Sequence, residues 1–186
     1  MGTRGLVIIK VDNNEYGLFS QYDSYIGGLG YHIINQLRSL CRENLEFYKQ
    51  NIRDISWTKD NESIDLPAKL SVELIKSNSI LGLTSSEQDI REVFERKLPV
   101  CNNIDFAKDT LFCEYIYTID LDKEEFKICK PIEIKLADEM SYKVISEFLD
   151  SRSHSEYSAL VIQDLFDIKA NEIENFKSYS RSVPKL

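Results

Sequence analysis

Four side chains near the start of the chain have types that do chemistry: Thr3, Arg4, Asp23 and Tyr25. A guanidinium pairs with carboxylate or phosphate in a fixed two-pronged geometry. A carboxylate orients a group or takes a proton, and a phenol donates a hydrogen bond. Directly after Tyr25 comes Ile26-Gly27-Gly28-Leu29-Gly30. A glycine loop opening a helix can present backbone N–H groups to an anion. Gly27, Gly28 and Gly30 thus join the four side chains as candidates for a small anionic ligand site. Two nucleotide motifs are excluded. Tyr31-His32-Ile33 follows Gly30, so there is no Gly-Lys-Ser/Thr, and Ile33 stands where G-x-G-x-x-G needs its third glycine. A structural use competes with the ligand reading: the glycines make a tight turn and let the helix pack closely on what precedes it.

These residues need a scaffold, and the local pattern provides one. Apolar runs Leu6–Val11 and Tyr16–Tyr22 flank Asp12-Asn13-Asn14-Glu15, a hairpin turn in which Asn tolerates left-handed backbone. The implied register sets Arg4 opposite Asp23 and predicts a salt bridge closing the hairpin. Beyond the glycines, Ile33, Ile34, Leu37, Leu40, Cys41, Leu45, Tyr48 and Ile52 recur at helical spacing. That periodicity predicts one long amphipathic helix over Leu29–Arg53.

The opening also resembles a family. Met1-Gly2-Thr3-Arg4-Gly5, Tyr22-Asp23-Ser24-Tyr25 and Gly28-Leu29-Gly30 are similar to an uncharacterised set of small proteins of fungi, protists and phages. Those open with M-G-T-R-G and carry H-[WF]-D-S-Y-P-x-G-L-G. Glu114–Asp122 is similar to the Y-T-I-D-L-D strand of the fungal members. The chain departs from the pattern at Gln21, where the family has His, and at Ile26, where it has Pro. The resemblance implies a shared fold and no particular reaction.

Composition narrows the field. The chain has 186 residues, 42% hydrophobic and 29% charged, enough for one globular domain over 1–186 with a sizeable core and a frayed tail at about 178–186. A net charge of −8 argues against a general nucleic-acid binder, whose affinity comes largely from neutralising phosphates. Residues 1–53 carry +1 of that and the remainder −9, so the glycine-rich end is the milder one for an anion. Cys41, Cys101, Cys113 and Cys129 lack C-x-x-C spacing, and His32 and His154 lie far apart, so no metal site and no cofactor is expected. Asp120-Leu121-Asp122 with Glu124 and Glu125 lacks the EF-hand register and reads as a solvated turn. No apolar run is long enough to span a bilayer. The expectation is a soluble cytoplasmic protein with reduced thiols and no membrane partner.

The rest of the chain alternates helical and extended patterns. Residues 54–65 read as a loop around Trp57 with a short edge strand. Helices are expected over about Pro67–Ser77 and Glu87–Leu98, the second burying Ile90, Val93, Phe94 and Leu98. Thr110–Leu121 alternates as a strand whose core face is Leu111, Cys113, Tyr115, Tyr117, Ile119 and Leu121, and it returns as a hairpin through Phe126–Lys130. Ile132–Leu136 reads as a short strand, the region from Met140 as helical, and Tyr157–Phe176 as a last helix.

The fold class is α+β. The N-terminal and central hairpins form one mostly antiparallel sheet, with helices packed against it. Two functional readings follow. The first is a non-catalytic binding or self-assembly module, with a small anionic ligand, a protein partner or its own copies as partner. The second is an amidohydrolase with an N-terminal nucleophile, in which Thr3 would become the first residue.

Overall fold

The computed structural model describes residues 3–21, 23–58, 93–94, 100–131 and 157–168. Strand β1 (Gly5–Val11) turns into β2 (Asn14–Ser20). Asp12 and Asn13 alone form the loop, with φ of 51° and 63°, the left-handed pair a two-residue hairpin turn requires. Asn14 and Glu15 belong to β2, because Val11 pairs with Asn14 and Lys10 with Glu15. This tighter turn shifts the register from the one expected: Gly5 faces Ser20, so Asp23 lies beyond the hairpin and not opposite Arg4.

Both hairpins share one sheet, as the sequence suggested. Strand β5 (Tyr115–Asp120) lies parallel to β1, and β6 (Glu125–Pro131) and β7 (Tyr157–Asp164) continue antiparallel, giving the order β2-β1-β5-β6-β7. A second small sheet pairs β3 (Trp57–Thr58) with β4 (Val100–Cys101), which confirms a short strand at Trp57. The inner strands are covered on both faces. Val7, Ile9, Tyr117, Ile119, Phe126 and Ile128 meet the helical layer. Leu6, Ile8 and Ile116 meet Ala107, Cys113 and Tyr157 on the other side.

The long helix is interrupted. A π-helical turn, Ile26–Gly30, leads into α1 (Tyr31–Leu37); a 3₁₀ turn, Arg42–Asn44, leads into α2 (Leu45–Asp54). Between them Ser39 and Leu40 donate to Gln36 and Leu37, tightening the turn, and Ser39 Oγ takes the Gln36 carbonyl at 2.6 Å. A serine hydroxyl competing for a backbone acceptor is a helix-ending device. Cys41 is then extended, at φ −113° and ψ 130°. The break lets Ile33, Ile34 and Leu37 on α1, and Tyr48 and Ile52 on α2, reach the same core.

Two further expectations are corrected. Thr110–Cys113 is a turn, because Asp109 accepts from Phe112 N through its side chain (3.1 Å) and from Cys113 N through its carbonyl (2.7 Å). Leu111 is therefore 58% exposed, off the core face assigned to it. Tyr157–Asp164 is a strand and not the start of a helix. Val93 and Phe94 are helical, with Phe94 fully buried and Asn51 Nδ2 donating to its carbonyl at 2.6 Å. The remainder of that helix, the helix at 67–77, the strand at 132–136, the helix from 140 and the tail at 178–186 lie outside the described residues.

Charged side chains on α2 pin both hairpin tips. Arg53 holds Asp12 through two contacts, at 2.6 and 3.0 Å, and Lys49 lies 3.2 Å from Asp122, which also accepts from Asn13 N. The Arg53 hydrogen bond holds the Asp12 carboxyl below its ordinary range. For Asp122 burial pushes upward, but the N–H groups of Asn13 and Asp12 together with Lys49 outweigh it, and the net shift is downward. Carboxyls lowered on folding add stability above their unfolded pKa and lose it as pH falls through the folded value. Urea midpoints should therefore decline below about pH 4, and Asp12→Asn should flatten part of that decline; an unchanged slope would show that the pair contributes nothing.

Candidate functional site

The opening stretch is organised around Tyr117, whose ring is completely buried in β5. Its hydroxyl donates to the Ser24 carbonyl at 2.6 Å. Burial drives this phenol well above its ordinary pKa, and the Gly30 N–H bond opposes that only in part. Ser24 is itself fully buried, its Oγ 2.9 Å from Ser20 Oγ, and its N–H donates to the Thr3 carbonyl at 3.1 Å. These contacts tie the end of β2, the start of β1 and the glycine loop to one side chain of the central strand.

The glycines serve that closure. At Gly30 an added Cβ would lie 2.9 Å from Tyr117 Cε1, and at Gly28 it would lie 2.2 Å from the Asp23 carbonyl oxygen. The loop's donors are also spent: Gly28 N and Gly30 N bond the Tyr25 carbonyl, and Leu29 N bonds that of Asp23. An anion would have to displace bonds that hold the π-helical turn together. Gly27, half-exposed, sits in the same turn. Asp23 takes φ 51° to start this fold-back and is exposed.

Arg4 lies on the other side of Thr3. Its backbone N–H donates to Glu114 Oε1 at 3.2 Å and its carbonyl accepts from Glu114 N at 3.0 Å, so the main chain is fixed. The guanidinium carbon stands 5.3 Å from the centre of the exposed Phe112 ring, a cation–π contact. Among the described residues no carboxylate pairs with it. Arg4 and Asp23 are thus brought to the same end of the sheet through the Ser24–Thr3 bond, but not to each other. Tyr25 follows buried Ser24 and is 40% exposed. Thr3 is half-buried and contributes its carbonyl to the closure.

Phe112, Glu114 and Tyr117 also belong to this end and were not among the sequence candidates; of the three only Tyr117 had a signal, an aromatic on the core face of a strand. Ser24 stood within the Asp23-Ser24-Tyr25 run, and its complete burial had no signal there. Asp120 is also placed differently: it is 5% exposed, and its Oδ1 accepts from Asp122 N and Lys123 N, so it caps the turn instead of facing solvent. No group of three His, Cys, Asp or Glu among the described residues could hold a metal ion. No disulfide joins any of the four cysteines, and burial pushes the Cys113 thiol up to about 12, too high for a nucleophile. No described helix is long and apolar enough to cross a membrane.

Comparisons with protein-family models, curated proteins and solved structures gave no significant match.

Proposed function

We propose that this protein is a non-catalytic binding or assembly module, working in the cytoplasm, and that it engages its partner through the end of the sheet carrying Thr3, Arg4, Asp23 and Tyr25. The observation that carries this reading is Arg4: an exposed guanidinium, fixed main chain, an aromatic ring beneath it and no carboxylate of its own among the described residues. Aromatic side chains and arginine are the types that anchor protein contacts. Exposed Leu111, Phe112 and Tyr25 add apolar area at this end. An anionic group of a ligand would bind the Arg4 guanidinium here, because the Gly28–Gly30 amides are engaged in the turn. Cysteines without disulfides fit a reducing compartment.

The hydrolase reading has less support, since among the described residues no base contacts the Thr3 hydroxyl. Intact-mass analysis of the mature chain tests the choice: a chain beginning at Met1 or Gly2 is expected, and one beginning at Thr3 with amide-hydrolysing activity would overturn the proposal. A residue kept for recognition should matter little to folding. Arg4→Ala is expected to cost under about 1 kcal/mol in urea denaturation; a larger loss would make Arg4 a structural residue.

A further inference from the structure

Most cations of the described residues are used within the chain: Lys10, Arg42, Lys49, Arg53, Lys108 and Lys127 each contact a carboxylate. The Arg4 guanidinium does not, and it is the one that also contacts an exposed aromatic ring, beside Leu111. A complementary pair lies elsewhere on the surface. Glu43, in the 3₁₀ turn before α2, is exposed and has no cation partner among the described residues. Phe47, four residues on in α2, is 55% exposed. Glu43 and Phe47 thus stand on either side of the junction between the 3₁₀ turn and α2, an exposed acid and an exposed aromatic side chain one turn of chain apart.

We infer that the Arg4–Phe112 surface of one copy docks on the Glu43–Phe47 patch of a second copy, with Arg4 pairing Glu43 and Phe47 packing on Phe112 and Leu111. This rests on the reading of the Arg4 end as the recognition surface and names its occupant. The two patches differ, so the contact is head-to-tail: copies add in a chain or close into a ring. Charge complementarity selects the second copy. The chain carries −8 overall, so carboxylates are plentiful, and among the described residues Arg4 is the cation that stands over an exposed aromatic ring with no carboxylate on its guanidinium. Repulsion between like-charged copies is long-ranged and is screened beyond about 8 Å at physiological salt, whereas a contact pair partly removed from water is screened much less.

Sedimentation velocity at physiological salt, from about 10 µM to about 500 µM protein, tests this. Wild type should shift to larger species with concentration. Arg4→Glu and Glu43→Arg should each weaken association at least about tenfold. The double variant, or an equimolar mixture of the two singles, should recover it. Phe47→Ser should weaken it without recovery. Both charged sites are exposed, and Trp57 fluorescence reports folding; if Arg4→Glu fails to fold, Glu43→Arg alone decides. A wild-type monomer throughout, or association indifferent to the reversals, overturns the inference. A monomer that still begins at Met1 or Gly2 leaves the binding-module reading intact, so the two failures are distinguishable.

Discussion

Gly28→Ala is expected to destabilise the protein by about 3 kcal/mol or more, the largest effect of any single methyl added to the opening stretch. The new Cβ would sit 2.2 Å from the Asp23 carbonyl oxygen, a backbone atom. That oxygen cannot swing aside like a side chain: it accepts from Leu29 N at 2.8 Å, and Asp23 is already committed to φ 51°. Relief would require opening the π-helical turn, which would pull Gly30 off Tyr117. Urea denaturation followed by Trp57 fluorescence checks it. A loss below about 1 kcal/mol would mean that the loop has room, which the closure described above denies it.

Tyr117→Ala should be comparably severe, about 3–5 kcal/mol, because the ring is fully buried between the helical layer and the glycine loop. Tyr117→Phe separates packing from hydrogen bonding. It keeps the ring and removes only the donor to the Ser24 carbonyl, so it should cost about 1–3 kcal/mol. The ratio is informative. If Phe cost as much as Ala, the hydroxyl and not the ring would hold the loop; if Phe cost nothing, the Ser24 carbonyl would have found water. Circular dichroism melts of both variants give the comparison.

Much of this architecture was legible in the sequence. Asp12-Asn13 announces a left-handed turn, and the apolar strands around it, with the central hairpin, specify one sheet. The register was not legible, because Asn14 and Glu15 look like loop residues and yet pair in β2. The helix break was hidden too. Apolar spacing runs unbroken through Leu37, Leu40 and Leu45, while the interruption comes from the Ser39 hydroxyl on the Gln36 carbonyl. Strand β7 was disguised by a register shift: Ile128 pairs with Val161 but Cys129 with Ala159, leaving Leu160 as an extra residue. The bulge disturbs the alternation of a strand, and Leu160, Val161, Leu165 and Phe166 then mimic helical spacing.

The site was legible only in part. Thr3, Arg4, Asp23 and Tyr25 do share one end of the sheet, since the chain returns there through the Ser24–Thr3 bond. What no spacing rule reveals is that Asp109 folds Thr110–Cys113 into a turn, carrying Phe112 under Arg4. Nor does the sequence distinguish glycines that cradle an anion from glycines that admit a tyrosine ring. That distinction needs the strand β5 in place.

Amide hydrogen exchange at Gly28, Leu29 and Gly30, with and without millimolar inorganic phosphate, addresses the central claim most directly. The claim is that the glycine loop is a packing device and that recognition belongs to Arg4. It predicts slow exchange at all three amides, matching the sheet core, and resonances that phosphate leaves unmoved. Fast exchange in the free protein, together with protection or shifted resonances at these amides on adding phosphate, would contradict it and make the loop an anion cradle.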